Sequence, residues 1–317
     1  MSSKAFIEKE VLKKLKKRRS DFPPSLWKNR EFALKAVKMD SDALEYVCEE
    51  FQNDKQIVRE ALKHGNFPGC MSGELLHDKK FALSTIKYCA DWFYVYPEEI
   101  RFDYDVALEA VSHGGSAIQF ISDELRNNRD IVWASVKHDG SSLFLHGLEK
   151  YLDDHDMCLL AMKTAGMYFE ELKQEFRFDR EITLTAVSNY HAALPYTSDE
   201  LKDDKEVVLA SVQGEWTHFN FAAASERLRN DKEVVLAAVT HDGYSIADAS
   251  EEMKKDPEVI LAAMKTSPLA FNLLPEELKN DPEVLKTFHE CHPENEIVDG
   301  VAQHIIYNPN SKKKKKR

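Results

Sequence analysis

"DKEVVLASV" at Asp204–Val212, "DKEVVLAAV" at Asp231–Val239 and "DPEVILAAM" at Asp256–Met264 are one phrase written three times. Carried along the chain, the frame opens at Asn29, Asp54, Asp78, Asp103, Asn128, Asp154, Asp179, Asp204, Asp231, Asp256 and Asp281. Successive starts lie 24 to 27 residues apart, giving ten complete repeats and the opening of an eleventh. A fixed period of this size marks an architecture in which each unit leans on the next.

Each position of the frame has a physical meaning. The opening Asp or Asn is placed to cap a helix, its side chain accepting from the free amides of the first turn. Pro257 and Pro282 follow their caps at the first helical position, where no amide is needed. Glu206, Glu233, Glu258 and Glu283 lie in that first turn, where the helix dipole favours an anion. Three residues after the cap every frame is apolar, from Phe32 to Val284, and eight after it the complete repeats are apolar again, from Val37 to Met264. Seven after the cap the residue is always Ala, Ser or Thr, small enough for helices to approach closely. This is an amphipathic helix of about three turns. A second apolar residue, fifteen after the cap, opens a shorter helical segment at Leu44, Phe93, Ile118, Leu143, Phe169, Leu194, Ile246 and Phe271, with Gly69 the exception. A Ser/Pro–acid–acid–apolar turn such as "PEEI" at 97 or "SDEL" at 198 then signals one more helix start before the next cap. The fold class expected is all-α: an α-solenoid of about ten tandem repeats of about 25 residues, each burying its apolar face on its neighbours.

The motif Asp-x-Glu-Val-Val-Leu-x-Ala-Val followed by Ser-Glu-Glu-Leu-x-x-Asp resembles the repeat of the domain of unknown function numbered 4116. The resemblance runs from Asn29 to Lys286, strongest from Asp204 onward and weaker at Asp54, where Arg59 replaces the leucine, and at Asp154. It implies an intracellular helical repeat protein, and it supplies no catalytic residues.

The chain has 317 residues, 43% hydrophobic and 31% charged, as expected of a folded protein. No stretch has the length and apolarity of a transmembrane span or a signal peptide. Cys48, Cys70, Cys89, Cys158 and Cys291 are scattered, which favours a reducing compartment over a disulfide framework. The net charge of −12 conceals an asymmetry: residues 1–19 and 312–317 each carry +6, which leaves −24 for the segment between them. A body of that sign repels phosphate backbones and argues against nucleic-acid binding by the folded part.

"VKHDG" at 136–140 and "VTHDG" at 239–243 raise the question of a metal-dependent phosphohydrolase. His64, His113, His138 and His241 all fall ten after their caps, with Gly65, Gly114, Gly140 and Gly243 close behind. That periodicity reads as a helix C-terminus, where histidine suits the dipole and a left-handed glycine would end the helix. Only His113 and His138, from adjacent repeats, are expected within reach of each other. Cys291-His292 has no further ligands nearby and reads as incidental. The lysines nine after the cap, Lys38, Lys63, Lys87, Lys137, Lys163 and Lys265, read as a solvated face. No metal, cofactor or catalytic residue is expected.

The remaining signals are departures from the frame. Trp92 and Tyr94 occupy positions that elsewhere carry Ala43, Ala117, Ser142 or Ser245, and Glu45, Gln119, Glu170 or Asn272. Taken as exposed positions, these make the two aromatics either partner anchors or gap fillers. The repeat from Asp204 is two residues longer, and since insertions in solenoids often emerge on the binding face, Trp216 and His218 in the longer part are further candidate partner contacts. Phe6, Ile7, Val11, Leu12 and Leu15 suit a helix capping the first repeat, or a basic amphipathic helix on a membrane or an acidic partner. The lysine-rich ends resemble nuclear-import signals and equally solubility tails. The expected domains are a basic segment 1–28, a solenoid 29–290, a C-terminal cap 291–311 and a disordered tail 312–317.

The function expected is a non-enzymatic, monomeric, intracellular scaffold, cytoplasmic or nuclear, binding a protein or peptide of basic character. The alternatives are a metal-dependent hydrolase built on clustered histidines, and a membrane or nucleic-acid adaptor acting through the basic ends.

Overall fold

The computed structural model describes residues 22–64, 69, 71–214, 217–298 and 300–304. The N-terminal apolar set (Phe6 to Leu15), both lysine-rich ends, Gly65, Cys70 and Trp216 lie outside the described residues. The chain divides into two compact units, Met1–Ala161 and Met162–Arg317.

The chain is an all-α tandem repeat of the solenoid class, and most of the described periods contain three helical pieces. The first is the capped helix, as in Tyr104–His113, Arg129–His138, Lys232–His241 and Pro257–Thr266. At each of these caps the Asp or Asn side chain accepts from backbone amides two or three residues on, as Asp256 does from Glu258 and Val259. The second piece is a short segment of mostly 3₁₀ helix, such as Gly115–Phe120 or Gly243–Asp248. The third is a single helical turn. At Ser72, Ser122, Ser198 and Ser225 the serine hydroxyl caps that turn by accepting from the amide three residues on.

The burial pattern follows the period. Residues seven and eight after each cap are buried throughout, from Ala36 and Val37 to Ala263 and Met264. The apolar residue three after the cap is buried in each case except Phe32, which packs at the rim against Trp27 and Phe22. Within each unit successive capped helices pack side by side, and so do successive 3₁₀ segments. Backbone bonds also cross from repeat to repeat: the amides of Ser225 and Ser250 donate to the carbonyls of Lys202 (3.0 Å) and Arg229 (3.1 Å).

The glycines that follow the capped helices do not act as left-handed caps. Gly147 and Gly300 are the described glycines with positive φ, whereas Gly114 is extended at φ −156°. The reason for glycine is close approach. A Cβ on Gly166 would lie 2.8 Å from the Ala186 carbonyl oxygen, and one on Gly115 would lie 2.6 Å from the Ser142 hydroxyl. Both obstacles belong to the following repeat.

The described region ends in an antiparallel hairpin, Asn295–Val298 with Val301–His304, in which Ile297 stands opposite Ala302. Asn272 holds it to the last 3₁₀ segment, donating to the Ala302 carbonyl and accepting from the Ala302 amide at 2.6 Å. His292 is not incidental. It is buried, Nε2 donates to the Met264 carbonyl, and its ring lies 5.8 Å from Phe288. No helix among the described residues is long and apolar enough to cross a membrane.

Candidate functional site

Charge along the repeats is organised by a ladder. The basic residue after one cap reaches the carboxylate of the next: Arg30 to Asp54 at 2.9 Å, Lys79 to Asp103 at 2.8 Å, Arg129 to Asp154 at 2.9 Å, Arg180 to Asp204 at 2.7 Å. Lys55 joins Asp78, Lys205 joins Asp231 at 2.8 Å and Lys232 joins Asp256 at 2.9 Å. Lys205 and Lys232 also hold the first-turn acids Glu233 and Glu258, each at 2.8–2.9 Å. Hydrogen bonding from the base is the leading cause that holds the Asp78, Asp154, Asp204 and Asp256 carboxyls below their ordinary pKa. The signal was in the sequence. Every Asp cap but Asp281 follows a repeat with Lys, Arg or His after its own cap, and the two Asn caps have no such predecessor: Asn29 opens the series and Asn128 faces Tyr104. A carboxylate stands where a cation arrives.

The histidines do not converge. Gly115 N–H donates to His138 Nδ1 at 3.3 Å, while His113 Nδ1 lies 3.0 Å from the carbonyl of Glu109 in its own helix. Position ten is a staple between repeats, for Asn189 Oδ1 accepts from Gly166 N–H at 3.0 Å and Thr266 Oγ1 donates to the Val239 carbonyl at 2.9 Å. In "HDG" the histidine ends the helix and the aspartate caps the 3₁₀ segment by accepting from Ser141 or Tyr244, while Gly243 admits the Ala263 carbonyl of the neighbouring repeat. Among the described residues no three His, Cys, Asp or Glu side chains are grouped to hold a metal ion.

Ionisable residues are distributed unevenly over the 3₁₀ row. The segments Ser41–Tyr46, Ala90–Val95, Gly115–Phe120, Gly140–Phe144, Gly166–Glu171, His191–Tyr196, Gly243–Asp248 and Pro268–Leu273, with the helix Thr217–Ala223 in the same place, contain no Lys or Arg. They do contain Asp42, Glu45, Asp91, Glu170, Glu171 and Asp248. Glu170 accepts from the Tyr196 hydroxyl, and that bond is the leading cause that lifts the Tyr196 pKa above its ordinary value.

Trp92 and Tyr94 stand on this row in the first unit, 37% and 48% exposed, with ring centroids 6.1 Å apart. Tyr94 also packs on Phe120 of the next repeat at 5.5 Å. One premise of the sequence reading is corrected here: the position of Trp92 is not an exposed one, since Ala43, Ala117, Ser142 and Ser245 are buried there. An indole does not fit a slot shaped for a methyl group, and the backbone leaves helical geometry at Trp92 (φ −102°, ψ 16°), leaving the side chain partly in solvent. His218 lies in the second unit, its Nδ1 3.3 Å from Asp242 and its ring 4.0 Å from Phe219 and 5.8 Å, edge on, from Tyr244.

The aromatic neighbours of His218 were missed by counting forward. Fifteen after Asp204 stands Phe219, where the frame expects a core residue, yet Phe219 is 52% exposed and Phe221 is fully buried. The two additional residues precede Phe219, so counting back ten from Asp231 finds Phe221 in the core position. Phe219 thereby joins Met167, Ala192, Tyr244 and Leu269 in one register.

The model of the Domain of unknown function (DUF4116) matches residues 29–68, 103–145, 154–202, 179–223, 204–254 and 256–288. No curated protein and no solved structure matches the chain.

Proposed function

Starting from a chain that belongs to the DUF4116 repeat family, we propose a non-enzymatic intracellular scaffold that binds a basic protein or peptide on the row of 3₁₀ segments. The observation that carries this reading is the paired exposure of Trp92 and Tyr94, with Phe120 behind them, on a row that contains acids and no Lys or Arg. Large aromatics dominate binding energy at interfaces, and a surface of one sign selects partners of the other. The ladder bases are held by carboxylates within the repeats. Cys48, Cys89, Cys158 and Cys291 are free thiols, which suits a reducing compartment.

The test is capture from a lysate of the source cell by the intact chain and by a Trp92→Ala/Tyr94→Ala variant of equal Tm. A captured protein is identified, purified and titrated against both. Affinity lower by about tenfold or more in the variant, about 1.4 kcal/mol, supports the reading. Equal affinity removes the aromatic pair from the site. Capture of nothing by either chain counts against a scaffold.

A further inference from the structure

In the second unit the row carries a feature that the first unit lacks. Thirteen residues after the cap the first unit has Asp42, Asp91, Ser116 and Ser141, with Phe67, outside the described residues, as the fifth. The second unit has Met167, Ala192, Tyr244 and Leu269 at that register, and Phe219 in the longer repeat. Met167 is 63% exposed, Phe219 and Leu269 52% each, and Tyr244 43%. The segments bearing them pack in sequence, Gly166–Glu171 on His191–Tyr196, that on Thr217–Ala223, then Gly243–Asp248 and Pro268–Leu273. Four large apolar side chains, with the half-buried methyl of Ala192 between the first two, therefore stand in line, a patch rather than scattered single residues.

We infer that this line, from Met167 to Leu269, holds an extended basic segment of a partner protein that carries an apolar side chain at every third residue. The inference rests on the scaffold reading and gives it a partner chemistry. Packed helical segments lie about 8–10 Å apart. A polyproline-type strand rises about 3.1 Å per residue, so every third side chain returns after about 9 Å and meets one repeat each. The α-helical rise of about 1.5 Å brings side chains back to one face every 5–6 Å, out of step with the line. The two residues between apolar anchors are offered Glu170, Glu171, Asp242 and Asp248; no Lys or Arg belongs to the five segments, and Arg229 reaches them only at the Asp248 carbonyl, 3.2 Å away. His218 lies beside Asp242 and between Phe219 and Tyr244 on this line. Nucleic acid has the wrong sign for this surface.

The probe is a fluorescent peptide of five Leu-Lys-Pro triplets, titrated by anisotropy against the full chain. The controls are five Leu-Glu-Pro triplets and four Leu-Lys-Lys-Pro quartets, which change the charge and the spacing in turn. Binding of the first peptide, weakened by about tenfold or more in either control and in Phe219→Ser/Leu269→Ser, is the expected result. Leu269→Lys, a single exposed change, should invert the preference toward the glutamate peptide, and it keeps the test decisive if the double variant does not fold. Equal affinity for lysine and glutamate peptides, or affinity unchanged in the Leu269 and Phe219 variants, overturns the inference. Binding lost only in Trp92→Ala/Tyr94→Ala overturns the line while the scaffold reading stands. Absence of binding up to about 1 mM overturns it as well, and capture with the aromatic variant then decides the scaffold reading separately.

Discussion

A methyl group added at Gly166 would sit 2.8 Å from the Ala186 carbonyl oxygen and 2.8 Å from Tyr190 Cβ, both in the next repeat. Neither atom is the free end of a side chain, so the repeats must part or the segment must shift. Gly166→Ala is expected to cost about 1–3 kcal/mol, the usual range for overpacking a fitted interior. Gly73 is the matching control, for a Cβ there meets nothing within 4 Å at the start of the turn Gly73–Leu76. Gly73→Ala should be neutral or stabilise by about 0.5 kcal/mol through the unfolded chain. Urea denaturation of both variants reads the difference, and equal effects would refute the close-approach account. The same glycines show where sequence reasoning stops. A glycine that ends a helix by left-handed geometry and one that admits a neighbour both follow the last helical residue. What separates them is an atom about 20 residues away in the chain. Trp92 is the converse case: Ala and Ser at its position look like tolerant surface and are small because they are buried.

At the scale of the element, the cap residue does two jobs, and they are separable. Asp256 accepts from the amides of Glu258 and Val259 and also receives Lys232 at 2.9 Å. Asparagine keeps the first role and loses most of the second, as the natural caps Asn29 and Asn128 illustrate. Asp256→Ala should cost about 1–2 kcal/mol for the lost cap. Asp256→Asn should cost less than half of that, since an exposed ion pair contributes about 0.2–1 kcal/mol. Thermal unfolding of the two variants makes the comparison, and equal losses would mean that the ladder, not the cap, carries the stability. The capped helix, its small position and its apolar faces were legible because each is a local pattern repeated ten times over. The base after the cap went unread because its partner lies one full period away, and Lys-Glu after an aspartate looks like ordinary helix surface. The terminal hairpin had no period to announce it.

Across the whole molecule the ladder makes stability a function of pH with a definite sign. The carboxyls of Asp54, Asp78, Asp103, Asp154, Asp204, Asp231 and Asp256 are all held below the ordinary carboxylate range in the folded chain. At Asp54, Asp103 and Asp231 burial pushes upward and is outweighed by the base and the capped amides together. A folded pKa below the unfolded one adds stability that is complete above the unfolded value and disappears as pH falls through the folded one. Between pH 7 and pH 5 the ladder is therefore fully formed, and its contribution fades from about pH 4 downward. The excess negative charge of the body acts the other way, since protonating exposed acids in the same range relieves repulsion. The two effects are distinguished by removing one rung. Arg180 holds Asp204 at 2.7 Å and reaches Glu206 as well. Arg180→Ala should lower Tm at pH 7, and the gap to the parent chain should narrow as pH falls from about 4 toward 2 and the Asp204 carboxylate takes up its proton. Scanning calorimetry across that range reads the gap. A gap that persists undiminished at pH 2 would assign the loss to packing of the arginine stem, and the ladder would then be a bystander to the stability of the repeat array.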